Sequence, residues 1–400
     1  MKKYLALFFA LPIALSAQTT PVTIRAGLLL DGRGGEVRDA FITVVDGKIR
    51  SVGPYQSGSP TYDLSRHTVL PGLIDAHVHL TGYITSRGRV HIPGDGDTPA
   101  QADSAAKANA KMILEAGFTT VQSMGSGGDK SLRDAIAAGM IPGPRVLTSL
   151  NPIGNASLTP ERLREIVDSL KSQGADFVKI FASKSIREGG GQTLSDGQLL
   201  AVCGAARNAG LRSVVHAHSP ESIRAAVLAR CDWVEHGALA TDDALRLMAD
   251  RGVFYDPQCA LVLRNYLDHR SWFEGTGNFT AEGFAFMERA LPTFPRLLRT
   301  ALGIPKLSLV YGTDAVAGAH GKNAEDLICR VREAGQPAMD AIITATSRNA
   351  AAIGLGRSIG SILPGFEADL IALEGNPLRE IEAVRRVAFV MKGGAVFKRQ

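Results

Sequence analysis

Apolar and polar side chains alternate in "VTIRAGLLLDG" and "AFITVVDGKIRSVG", near the start of the chain, and Asp-Gly pairs punctuate both stretches. Successive side chains of a strand face opposite sides, and Asp-Gly favours a tight reversal, so these segments predict antiparallel strands joined by short turns. A similar texture returns near the end, in "ADLIALEG" and "VAFVMKGGAVFK". The pattern between them differs. Eight short apolar runs, "LPGLIDAHVH", "FTTVQSMG", "RVLTS", "DFVKIFAS", "RSVVHAHS", "DWVEHGA", "VFYDPQ" and "LSLVYGTDA", are separated by helical stretches such as "AQADSAAKANAKMILEAG" and "SPESIRAAVLARC". Buried strands alternating with helices are the signature of parallel βα units. The expected fold is α/β: a (β/α)8 TIM-type barrel over residues 69–357, inserted in a small β-sandwich built from residues 18–68 and 358–400.

The first residues have a different pattern. Lys2 and Lys3 precede the apolar "YLALFFALPIALSA", and small residues Ser16 and Ala17 precede polar "QTT". This predicts a signal peptide over residues 1–17, hence a periplasmic or secreted protein. The apolar stretch falls short of the roughly 18–20 residues of a spanning helix, so no stable membrane anchor is expected after cleavage. Without the two lysines the formal charge drops from +5 to +3, and no block of like charges occurs. Nothing in that balance asks for nucleic acid; the partner expected is a small-molecule substrate, with a homo-oligomer left open. Cys203, Cys231, Cys259 and Cys329 are scattered, with no paired spacing, and read as buried free thiols, a single disulfide remaining open.

In a barrel of this kind chemistry sits at the C-terminal ends of the strands. The first run ends in His77 and His79, the fourth in Lys179, the fifth in His216 and His218, the sixth in His236 and the eighth in Asp314. One such histidine is ordinarily a hydrogen-bonded core residue. Five at one end, joined by a lysine and an aspartate, offer the imidazole and carboxylate donors that zinc and similar divalent ions take.

Nearly the whole mature chain resembles the amidohydrolase superfamily, through "VLPGLIDAHVHL", "LEAGFTTVQSMG", "IPGPRVL", "FVKIF", "VHAHS", "VEHG", "GTDA" and "GSILPGFEADLIALEGNPL". Within it the chain is most similar to imidazolonepropionase-like proteins and prolidase-type dipeptidases acting on Xaa-Pro or Xaa-Arg. The resemblance implies two divalent ions, zinc expected, with His77, His79 and Asp314 on one, His216 and His236 on the other, and a carboxylated Lys179 bridging them. Carbamylation gives the lysine the anionic oxygens that an ammonium lacks. Strand parity cannot choose between His216 and His218, which face the same way; similarity makes His216 the ligand and places His218 above the metals. Dipeptidase relatives often carry Tyr at that position, so His218 puts a dipeptide substrate in question, although neutral imidazole can donate the same hydrogen bond to an oxyanion.

Arg224, in "SPESIRAAV", resembles the arginine that clamps a substrate α-carboxylate in those dipeptidases; a solvated helix charge is the competing reading. His320 and Asn323, in "GAHGKNAED", are candidates to line the pocket. The aromatic-rich residues 259–295 read as an extra helical hairpin or as a lid with a hydrophobic leaving-group pocket. "GSGGD" and "EGGGQ" lack a P-loop lysine and hydroxyl and read as βα turns. The implied activity is cleavage of an amide C–N bond by a metal-bridging hydroxide, with Asp314 shuttling the proton, in a dipeptide or N-acyl amino acid. The alternatives are a cyclic-amide, lactone or organophosphate hydrolase and a non-catalytic binding barrel; no expected ligand is missing, which speaks against the last.

Overall fold

The computed structural model describes residues 20–399, so the leader expected over 1–17 lies outside the described residues. Strands β1 (Val22–Leu30), β2 (Glu36–Val45) and β3 (Lys48–Pro54) form the expected antiparallel meander. Asp46 and Gly47 turn the second hairpin with φ of 50° and 75°, the left-handed pair that Asp-Gly adopts cheaply. Strand β4 (Tyr62–Pro71) then returns parallel to β1.

The eight central runs are eight parallel strands: β5 (Leu73–Val78), β6 (Phe118–Ser123), β7 (Arg145–Thr148), β8 (Phe177–Phe181), β9 (Arg212–Ala217), β10 (Trp233–His236), β11 (Phe254–Asp256) and β12 (Ser308–Leu309). β5–β7 and β8–β12 pair in chain order. Parallel bridges Ile153–Ile180 and Val78–Ala315 close the two remaining seams, so the strands form a ring. Its floor is filled by Ile74, Leu147, Phe177, Val214, Trp233 and Val310. On the outside Val178, Ile180, Val215 and Val234 pack in one core with helix residues Leu199, Val202 and Leu245. Several helices start where hydroxyl caps satisfy free N–H groups: Thr98 with Gln101, and Ser195 with Gln198, form reciprocal capping boxes.

Strands β13 (Leu370–Glu374), β14 (Val387–Lys392) and β15 (Ala395–Arg399) complete the terminal domain. They join the first four in one seven-stranded mixed sheet, ordered β15-β14-β13-β4-β1-β2-β3. Ile24, Ala40, Ile42, Leu370, Ala372 and Phe389 form its core. Both chain ends therefore build one small domain, as the sequence predicts.

The cysteines correct the sequence reading. Cys203–Cys231 and Cys259–Cys329 are disulfides, and none is free. Their separations of 28 and 70 residues gave no local signal; the wrapping of helices around the ring brings the pairs together. No helix among the described residues is long and apolar enough to cross a membrane.

Candidate metal centre

On β8 and β9 simple alternation positions the site. Phe177 and Val214 point into the barrel floor, and Lys179 and His216, two residues on, continue the same face upward. β10 departs from it. Trp233 fills the floor and Val234 packs outward, so parity gives Glu235 inward and His236 outward. His236 instead adopts φ of 67°, a left-handed backbone that turns its ring into the cavity. Tyr255 Oη donates to the His236 carbonyl at 3.1 Å. Asp314 has φ of 54°, and its N–H donates to the His77 carbonyl at 2.8 Å, fastening the last strand to the first.

His77, His79, Lys179, His216, His218, His236 and Asp314 all line one cavity of about 610 Å³. Asp314 Oδ1 lies 3.3 Å from His77 Nε2 and 3.1 Å from His79 Nε2. The His216 ring is 4.5 Å from that of His236 and 4.6 Å from that of His218. Glu235 is fully buried, meets His77 Nδ1 and stands 3.9 Å from Lys179 Nζ. Two groups of donors, His77–His79–Asp314 and His77–Glu235–His236, each fall within 4.8 Å of one another and share His77. Lys179 Nζ, Glu235 Oε1 and His218 Nδ1 have no hydrogen-bond partner. Buried polar atoms left unpaired are costly unless a ligand answers them, and this N/O donor set suits divalent cations. The residues present fit a two-metal centre.

The profile of the Amidohydrolase family matches residues 68–396. The chain belongs to that family. It is similar to the ochratoxinase of Aspergillus niger, at 25% identity over 97% of this chain and 91% of the relative. Among solved structures it is similar to a Xaa-Pro dipeptidase with methionine bound in its active site, at 28% identity and a TM-score of 0.84, covering 95% of this chain and 100% of the other. A putative prolidase from Bifidobacterium longum is 26% identical with a TM-score of 0.80, over 96% of both chains. Family and donor clusters together make this amidohydrolase a metal-dependent hydrolase acting on C–N bonds.

Burial sets the charge states. It lowers His77 and His218 to about 3, helped by Lys179 and Arg187 respectively, and drives His216 and His236 well below the usual imidazole range. Neutral imidazole is the form that binds metal. Burial would raise Asp314, but His77 and His79 outweigh it and hold the carboxylate well below its ordinary range. Burial also lowers Lys179 to about 7.

Three predicted residues stand elsewhere. Arg224 is exposed on the helix Pro220–Leu228, beside Glu221, Asp243 and Asp250 in a separate surface depression, and does not line the cavity. Its helix runs behind β9, so a position after the strand became a position outside the ring. His320 and Asn323 do not line the cavity either. His320 Nε2 bonds the His79 carbonyl at 3.0 Å, and Asn323 Nδ2 donates to Asp75 Oδ2 at 2.6 Å; both brace the strand ends from behind.

Sequence reasoning passed over Glu235, Gln258 and Arg187. Gln258 Oε1 lies 2.9 Å from His236 Nδ1, and its Nε2 lies 3.3 Å from His77 Nδ1, so one amide orients two of the imidazoles. Glu235 was legible as the neighbour of His236 in "VEHG", but not its inward direction. Residues 259–295 do supply cavity wall, through Val262, Leu263, Tyr266, Phe273, Asn278, Phe279 and Phe294.

Proposed function

We propose that this amidohydrolase is an exported two-metal enzyme hydrolysing the amide bond of dipeptides or N-acyl amino acids. The observation that carries this reading is the meeting of His77, His79, Lys179, His216, His236 and Asp314 around one cavity of about 610 Å³, a size suited to a small ligand. The likeness to a Xaa-Pro dipeptidase and to ochratoxinase supports an amide substrate. Two disulfides support an oxidising compartment, periplasmic or extracellular.

His77, His79 and Asp314 would hold one cation and His216 and His236 the other, with carboxylated Lys179 between them and zinc as the ion. Bound cations supply Lewis acidity, polarising the scissile carbonyl and acidifying water at neutral pH. Asp314, anionic at neutral pH, accepts the proton of the attacking water and passes it to the leaving nitrogen. His218, neutral and with a free Nδ1, donates to the carbonyl oxygen as it gains charge. Lys179 is suited to carboxylation because its amine loses its proton near pH 7: the free amine attacks CO₂, a C–N bond forms and a proton leaves to solvent.

Metal-loaded mature protein screened against dipeptides and N-acyl amino acids should release free amino acid. Turnover confined to lactones or phosphotriesters would overturn the amide reading. Lys179→Ala should lose most bound metal by elemental analysis and regain part of it with added short carboxylic acids; full metal content without them would remove the carbamate.

A further inference from the structure

Arg187 lies in the short turn Ile186–Glu188, just beyond β8, and lines the cavity. Its guanidinium sits 4.2 Å from the centre of the Phe279 ring and 5.3 Å from that of Tyr266. Nε donates to Asn278 Oδ1 at 2.7 Å, and Asn278 Nδ2 in turn donates to Glu188 Oε2 at 2.7 Å. The side chain is thus fixed from the roof segment and backed by two aromatic faces. The Tyr266 hydroxyl also hydrogen-bonds the guanidinium, and among the described residues no carboxylate forms an ion pair with it. A half-buried guanidinium that lines a cavity and has no carboxylate partner is suited to an anionic ligand group, a carboxylate above all. Lys184, which also lines the cavity, is exposed. Arg187 also acts electrostatically on His218, so it lies within range of the reacting end.

We infer that Arg187 binds the carboxylate of the amino acid to be released, and that the adjoining side chain rests on Phe279 and Tyr266, selecting large apolar residues at that position. The inference rests on the amide-hydrolase reading for its substrate, but its geometry is that of a binding site. A carboxylate gripped by the fork places the neighbouring Cα substituent beside the rings that carry the guanidinium. Those rings are backed by Phe273 and Phe284, so the wall is firm as well as apolar. The anchor therefore comes from the turn after β8 and not from Arg224.

Calorimetric titration of metal-loaded protein with N-acetyl-phenylalanine and with its C-terminal amide tests the inference apart from catalysis. Native protein should bind the acid about tenfold to a hundredfold more tightly, the range for a charge-assisted bond. Arg187→Gln should erase that difference while leaving the amide and the metal content unchanged, and Arg187→Lys should restore part of it. In turnover the loss should appear in KM, with kcat little moved. Phe279→Ala should narrow the preference for N-acetyl-phenylalanine over N-acetyl-glycine. Equal binding of acid and amide by native protein, or equal loss of both in Arg187→Gln, overturns the assignment. Acid-selective binding without any amide hydrolysis would instead retain Arg187 and refute the proposed activity.

Discussion

The proposed mechanism makes two demands on the Asp314 carboxylate: its Oδ1, which faces His77 and His79, would hold a cation, and the group would also carry a proton. Asp314→Asn keeps the shape and removes the proton acceptor. Turnover should fall by orders of magnitude while substrate affinity shifts far less, since the lost interaction acts in the transition state. Steady-state kinetics at matched metal content checks this, and parallel losses in kcat and binding would reduce Asp314 to a structural ligand. At this scale the sequence was informative where residues end a strand in fixed alternation. His77, His79, Lys179, His216 and Asp314 reach the cavity as expected. It was uninformative for Arg224 and Arg187, whose directions depend on how a helix and a turn leave the ring.

At the scale of elements, the end of β10 is the most constrained piece of the site. His236 turns inward through a left-handed backbone, and Gly237 continues it with φ of 58°. A Cβ at Gly237 would stand 2.7 Å from Tyr255 Oη, the group that donates to the His236 carbonyl. Gly237→Ala should cost about 1–2 kcal/mol for the backbone alone, and further stability for displacing Tyr255, with weaker metal binding. Gly252→Ala is the control: its φ of 66° is similar, but nothing lies within 4 Å of the added methyl. Denaturation midpoints and metal titrations of the two variants should differ; identical behaviour would deny the β10 end its role. The disulfides belong to this scale too. Cys259–Cys329 ties the start of the roof segment to the helix Ala324–Arg332. Replacing both cysteines by serine should cost about 2–4 kcal/mol, read as a lower urea midpoint, and an unchanged midpoint would make the bond incidental to stability.

For the whole molecule, the buried imidazoles couple folding to pH. His77 and His218 are lowered to about 3 from an ordinary value of 6.5. Between those values the unfolded chain binds more protons than the folded one, so stability rises with pH across that window and is lost on acidification. His216 and His236 shift the same way. Metal-free protein should therefore lose stability progressively below pH 6.5, with proton uptake on unfolding measurable by calorimetry in buffers of different ionisation heat. Burial raises Asp75 to about 7 and Asp256 to about 8, which acts in the opposite sense across this window. The histidine share is therefore read by comparison with His218→Ala, and an unchanged slope in that variant would deny it. The ring, the shared terminal domain and the family were all set by sequence, because strand period, strand-end chemistry and hairpin turns are local properties that the chain carries along its length. The pairing of cysteines 28 and 70 residues apart, the inward turn of His236 and the placement of Arg187 at the cavity and of Arg224 outside it were settled only by tertiary structure. Each depends on the path of the backbone between distant segments, which close packing around the ring determines and a local pattern does not encode.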